Sequence, residues 1–392
     1  MVYLLLSILL LIFTLAYDLK IAKTGKDFWY WSFFVCFTAL SGFRYKVGGD
    51  TLEYFNSFTN QIPTLKSLNI THFETIRYEP FWILLNSFCK TIIDDFAFFQ
   101  IVHAIFINVV IFRFFKKNTQ YLFTAILIYW LFFYLYFNME ILRESIAISF
   151  FLLAYPYLST KRLGKFYILV FCAIMFHASA VFLCFLPLFK NAVLNKGTML
   201  KIGFLVFGII LLLGVLPNLM PNTEIQRRLA IYQLFTPSFF GFTFYAMIFF
   251  GGPMYIYINY IKYRRPIFKD IIVVYFSIAA IVSYLTGFSR LINYFMPFLS
   301  IYFVNYLFLV YNLRRYRKIK AIFIPLIVVI AFFPKYLYYF RDTSDLVPDT
   351  HNYNRWFPYC SIFDKQENKE RELLFYRSFN DSREYIKNKN KD

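Results

Sequence analysis

The chain has 392 residues, 59% of them apolar and 23% aromatic, and a formal charge of +19. No soluble core uses apolar side chains at that share, so the composition excludes a soluble globular domain and implies an integral membrane protein. The charge does not imply nucleic-acid binding either, because Lys and Arg fall in short clusters between apolar blocks, where membrane topology accounts for them.

The apolar blocks run about 15 to 22 residues, helix-crossing length, without the two-residue alternation of an outer-membrane barrel. They predict spans near residues 2–17, 28–43, 96–115, 120–137, 143–158, 202–219, 242–261, 270–287, 291–311 and 321–340. The first block has no basic residue before it and no small-residue cleavage site, so it reads as a retained helix and not as a removed signal. Two stretches need a decision. Residues 79–93, EPFWILLNSFCKTII, start with a proline suited to the first helical position but carry Asn86, Ser87 and Lys90, and read as a helix at or dipping into the surface. Residues 165–189 are interrupted by His177 and Ser179 and closed by Pro187, and read as two short helices meeting near His177.

The fold class expected is all-α: a polytopic membrane protein with about 10–12 transmembrane helices, short or re-entrant ones included. Residues 1–340 form the transmembrane domain, with an extracytoplasmic loop at about 44–78, and residues 341–392 a short, soluble, polar tail. With the N-terminus outside, six basic clusters fall on the cytoplasmic side: those at Lys20 to Lys26, Arg113 to Lys117, Lys161 to Lys165, Lys190 to Lys201, Lys262 to Lys269 and Arg314 to Lys320. The five cysteines form no CxxC and no metal-ligand spacing and read as packing residues; neither a metal nor a cofactor is expected.

The outer face collects the residues suited to chemistry. In SGFRYKVGGDTLEY, residues 41–54, Arg44 offers a fork of donors for phosphate or carboxylate, the glycines permit close backbone approach, Asp50 is an acid or base, and Tyr54 follows. Arg77 and Glu79 stand together in RYEPF. In NMEILRESIA, a continuous helix would put Glu140, Arg143 and Glu144 on one face, a guanidinium between two carboxylates at the mouth of an apolar helix. Ionisable groups at such depth usually face a bundle interior or a wet cavity. His177, in FHASA, is either a core histidine or a proton carrier. Arg290 opens GFSRLINYF with Tyr294 four residues on, which in one helix would share its face. Arginines, carboxylates and a histidine on the outer side suit a lipid-anchored substrate with an anionic head group, since pyrophosphate is bound by bidentate arginines and a sugar hydroxyl nucleophile by a base.

These motifs together resemble the EpsG-type branch of the Wzy-like bacterial polysaccharide polymerases. The resemblance rests on SGFRYKVGGDTLEY, YEPFWILLNSF, ILRESIAISFFLLA, MFHASAVFLCFLPL and GFSRLINYFMP, in that order over most of residues 28–300. Relatives commonly have glutamine where this chain has Glu144. The resemblance implies a metal-independent glycosyltransferase of the bacterial inner membrane with its site facing the periplasm or cell exterior. It would transfer a growing glycan from undecaprenyl pyrophosphate to the next lipid-linked repeat, for capsule, exopolysaccharide or O-antigen. Arg44, Arg143 and Arg290 map onto the family's arginine motifs as pyrophosphate contacts, and Asp50, Glu79 or His177 is the base. A flippase and a chain-length regulator are the expected partners. The alternatives are a flippase for the same lipid-linked sugars, or a surface-polysaccharide ligase or acyltransferase.

Overall fold

The computed structural model describes residues 2–19, 22, 24–190, 192–195, 197–200, 203–204, 208, 238–312, 356–366, 371–372 and 375–376. Among them there is no strand, and one isolated antiparallel bridge joins Arg44 to Ser361. The chain is an all-α polytopic membrane protein. Val2–Leu19, Phe96–Asn118, Leu122–Met139 and Phe239–Ile261 are each long and apolar enough to cross a bilayer, and the bent pair Thr286–Asn293 with Met296–Asn312 makes a fifth if it is one span. The spans expected at 202–219 and 321–340, and most of the tail over 341–392, lie outside the described residues.

The chain divides into two compact units, Met1–Ser149 with Met175–His177 and Arg314–Asp392, and Phe150–Ile174 with Ala178–Leu313. The first opens with α1 (Val2–Leu19, ending in a π turn) and α2 (Lys26–Gly42). Then come three shorter helices, α3 (Thr51–Asn60), α4 (Ile70–Thr75) and α5 (Pro80–Ile92), followed by the long α6 (Phe96–Asn118) and α7 (Leu122–Met139). α2 and α6 run antiparallel: Tyr30 Oη donates to the Phe112 carbonyl at 2.8 Å near one end, and Gly42 meets Ile101 near the other. Two of the basic clusters gather at the first end, where Lys116 pairs with Asp27 at 2.8 Å and Lys26 with the buried Asp18 at 3.4 Å. Asp18 in turn accepts from the backbone and hydroxyl of Thr124, tying the end of α1 to the start of α7.

At the opposite end, polar side chains fix the small helices. α5 starts with Pro80 after an extended Glu79, and its 13 residues reach about 20 Å, short of a bilayer core. The polar residues that make this stretch ambiguous in sequence have assigned partners. Asn86 donates to the Trp82 carbonyl, and the Lys90 ammonium gathers the carbonyls of Phe58, Thr59 and Ile62 at 2.8, 3.0 and 3.1 Å. A cation on the unsatisfied carbonyls of a helix end is favourable twice over, through hydrogen bonds and through the helix dipole. Lys90 therefore clamps α5 to the end of α3.

Part of the tail belongs to this end of the first unit. Tyr45 N donates to the Cys360 carbonyl and Ile362 N to the Phe43 carbonyl, both at 2.8 Å. Tyr3 Oη donates to the Trp356 carbonyl, Tyr359 Oη to the Leu40 carbonyl, and Lys46 pairs with Glu372 at 2.6 Å.

Two sequence expectations are corrected. Glu140 does not share a helix face with Arg143: α7 ends at Met139, Glu140 and Ile141 form a break, and α8 starts at Leu142 (Leu142–Ser159). The span expected at 291–311 is likewise broken, into α12 (Arg290–Asn293) and a helix over Met296–Asn312. With Thr286–Phe288, the first piece is bent by 70° from the second. Pro297 supplies a reason, since it has no N–H for the Asn293 carbonyl and so removes a hydrogen bond that a continuous helix would need there.

The expectation of two short helices meeting near His177 is met. α9 (Leu163–Phe176) ends one residue before His177, and a 3-10 helix over Ala178–Phe189 begins one residue after it. In the second unit, α10 (Phe239–Ile261), α11 (Lys269–Tyr284) and the Met296–Asn312 helix, α13, pack through rings. Tyr302 lies 5.8 Å from Tyr257 and 5.3 Å from Tyr260, and Phe151 lies 5.4 Å from Phe298.

Candidate functional site

Arg44 follows the last turn of α2, where the unsatisfied carbonyls of the helix end favour a cation. It is fully buried. Its guanidinium donates to the carbonyls of Ser41 and Val47. The Gln100 amide, oriented to satisfy both groups, accepts from Nε at 3.1 Å and Nη2 at 3.2 Å while donating to the Arg44 carbonyl. Burial lowers its pKa to about 10, which leaves it charged at neutral pH. Arg44, expected as a pyrophosphate contact, thus spends its donors on the chain itself and organises the loop after α2.

That loop is pressed against the break before α8. Gly48 has a φ of +123°, and a Cβ there would sit 2.1 Å from the Met139 carbonyl oxygen. A Cβ on Gly49 would lie 2.7 Å from the carboxyl carbon of Glu140, whose buried side chain packs on this backbone. Thr51 Oγ1 completes the joint, donating within reach of both Val47 and Met139 carbonyls at 3.0 and 2.9 Å. The glycine pair is therefore a docking surface that brings α3 to the start of α8. Asp50 stands at the N-cap of α3, yet its side chain makes no capping hydrogen bond, although aspartate is a preferred cap.

Arg143 lies in the first turn of α8, a position where its charge opposes the helix dipole. Glu79 offsets this: its Oε2 accepts from Arg143 Nη1 at 2.5 Å, with each side chain 18% exposed. The guanidinium also lies 4.7 Å from the centre of the Tyr78 ring and interacts with the Tyr54 hydroxyl. Its Nε is buried with no hydrogen-bond partner among the described residues. Burial raises the pKa of the Tyr54 phenol, Arg143 opposes the rise and the Asp50 charge adds to it, so the phenol stays protonated at neutral pH and can donate. Tyr54, Tyr78 and Trp82 form a ring cluster with centroids 5.1 to 6.3 Å apart. Beyond Tyr78, the exposed Arg77 guanidinium lies 5.1 Å from the same ring and pairs with Glu53.

Of the residues expected from sequence, Tyr54, Glu79 and Arg143 are thus in contact, with Asp50 close enough to act electrostatically on Tyr54. His177 is half-buried between its two short helices, and its neighbour Phe176 packs on Phe81, two residues after Glu79, with centroids 5.9 Å apart. Glu144 is buried on α8. Arg290 is exposed on α12 in the second unit, while Tyr294 is fully buried and its hydroxyl meets Ser179 Oγ at 2.9 Å. Tyr78 and Glu53 escape a sequence reading based on charge and helical spacing, although Tyr78 sits in RYEPF between two residues that reading marks. Gln100 carries no signal at all, because its role exists only once α6 lies beside Arg44.

No curated protein and no solved structure matches the chain. The EpsG family matches it over residues 27–361, which takes in α2, the Arg44 loop, the Arg143 cluster, His177, Arg290 and the tail segment paired with Arg44. With most of its length matched, the chain belongs to the EpsG family.

Proposed function

We propose that the protein is a polysaccharide polymerase of the bacterial inner membrane, working on the extracytoplasmic side on glycans carried by undecaprenyl pyrophosphate. Membership of the EpsG family makes it a polysaccharide-related membrane protein. The single observation that carries the finer reading is Arg143: a guanidinium held at a helix start by Glu79 and Tyr78, with a buried Nε that no described side chain satisfies. A donor left this way in a native site can be completed by a ligand or by ordered water, and its place beside Glu79 and Tyr54 favours a ligand. A helix N-terminus beside an arginine favours an anion of the size and charge of pyrophosphate.

In the reaction, the bond between the anomeric carbon of the growing chain and the pyrophosphate oxygen breaks as the acceptor hydroxyl of the next repeat bonds to that carbon. The acceptor proton passes to a base, and undecaprenyl pyrophosphate leaves with the electron pair. Arg143 stabilises the charge gathering on the leaving group, the term that usually dominates such transfers. Glu79 orients Arg143, and the Tyr54 phenol donates to a pyrophosphate or sugar oxygen. Asp50 is the base, supported by its charge acting on Tyr54 beside Arg143; His177 is its rival. Arg290, in the second unit, is proposed as a pyrophosphate-binding residue on its match to the family pattern alone. A flippase delivering repeats to the outer side and a chain-length regulator are the partners this chemistry calls for.

The test is purified protein in lipid, given defined undecaprenyl-pyrophosphate-linked repeats. The expected result is a ladder of products, with one undecaprenyl pyrophosphate released for each bond formed. Neither ladder nor release would overturn the reading.

A further inference from the structure

A cavity of about 150 Å³ lies in the first unit between α3, the start of α6 and the tail segment. Tyr54 and Phe55 are consecutive on α3: the first faces Arg143, the second lines this cavity. Phe55 and Phe96 meet edge to face at 5.7 Å, and Tyr45 adds a third ring to the wall. Polar groups line the cavity together with the rings. The Lys46 ammonium lies 5.4 Å from the Tyr45 ring centre and 5.2 Å from that of Phe55. The Asp95 carboxylate, which caps α6 through Ala97 N at 2.8 Å, and the Gln100 amide line the α6 side. Lys365, exposed on the tail, closes the far wall and makes no ion pair among the described residues.

The volume suits about five waters, or a single six-membered sugar ring in their place. Rings set beside a carboxylate and two ammonium groups match a pyranose, whose C–H faces pack on aromatic faces and whose hydroxyls need both donors and acceptors. A lipid tail would bury the Asp95 carboxylate and the Lys46 and Lys365 ammonium groups away from water. A pyrophosphate would meet balanced charge, because Asp95 offsets one lysine and Glu372 already pairs with Lys46 at 2.6 Å. We propose that this cavity is a glycan subsite that holds one neutral pyranose unit of the lipid-linked chain, with the C-terminal tail as one of its walls. The inference rests on the polymerase reading for the source of the sugar, and extends it to a second site that binds glycan and not pyrophosphate.

The test uses the full-length protein in lipid nanodiscs with free glucose, galactose, N-acetylglucosamine and glucuronate, each at millimolar concentration, read by saturation-transfer NMR. At least one of the three neutral sugars should show transfer to its ring protons. Phe55→Ala, which removes a stacking face, and Lys365→Glu, an exposed change that leaves the core intact, should each weaken binding about tenfold. Arg143→Ala should bind the sugar as the wild type does. No transfer to any neutral sugar, transfer to glucuronate alone, or equal binding by wild type, Phe55→Ala and Lys365→Glu would overturn the subsite. Sugar binding lost with Phe55→Ala but no ladder from lipid-linked repeats would keep the subsite and remove the polymerase. A ladder without sugar binding would do the reverse.

Discussion

Arg44 and Arg143 lie at the same end of the first unit, each beside a helix terminus, and in sequence each is an arginine at the edge of an apolar block. Their surroundings separate them. Arg44 follows a helix C-terminus, where its charge is favoured, is fully buried, and has its donors taken by Ser41, Val47 and Gln100. Arg143 enters a helix N-terminus, where its charge is disfavoured, depends on Glu79 to be held there, and keeps an unsatisfied Nε. An arginine placed with the local field and saturated by its own chain is framework. One placed against the field and left incomplete is the one proposed to meet a substrate.

The contrast is broken or sharpened most strongly at Arg143. Arg143→Ala should lower polymer formation by about 100-fold or more, the scale for losing a donor aimed at developing charge, with little change in thermal stability. Arg143→Lys should recover little, because a point charge cannot serve Glu79 and a pyrophosphate together. Normal polymer from both variants, measured as ladder length in vitro, would return Arg143 to the framework class.

Arg44→Ala should act in the other currency. It leaves buried carbonyls and the Gln100 amide unpaired, at about 3–5 kcal/mol of stability, read as a lower melting temperature and less protein in the membrane. Gly48→Ala should cost about 3 kcal/mol or more, since a Cβ 2.1 Å from the Met139 oxygen forces the α7–α8 break apart from the loop. Removing the Lys90 clamp with Lys90→Met should cost less, about 1–3 kcal/mol, by leaving three carbonyls at the end of α3 without their cation.

The choice of base refines the contrast through pH. A carboxylate base puts the acidic limb of the rate profile near pH 4 to 5 and a histidine base near 6 to 7, the approximate unperturbed values. With Asp50 as base, Asp50→Asn should be inactive and His177→Gln should keep both rate and profile. An inactive His177→Gln beside an active Asp50→Asn would exchange the two roles.

The all-α membrane class was legible because hydropathy alone carries it, and the break at His177 was legible because polar residues and Pro187 interrupt an apolar run. The break at Glu140 was not: NMEILRES keeps helical spacing, and the glycine loop pressed against Met139 and Glu140 is a tertiary contact that no local pattern shows. Likewise the pairing of Arg143 with Glu79, 64 positions away, is a tertiary fact, whereas helical spacing pointed to Glu140 and Glu144. The tail read as a separate polar segment from its composition, and no local pattern announces that residues around Ser361 pair with Arg44. Charge identity is local and readable; whether a charge is saturated depends on which distant carbonyls and amides reach it.

The most direct measurement is a paired one: Arg143→Gln and Arg44→Gln, each purified in lipid, melted, and given the same lipid-linked repeats. The account predicts that Arg143→Gln melts like the wild type and makes no ladder, while Arg44→Gln melts lower and makes a ladder in proportion to the protein that stays folded. A wild-type ladder from Arg143→Gln would contradict it.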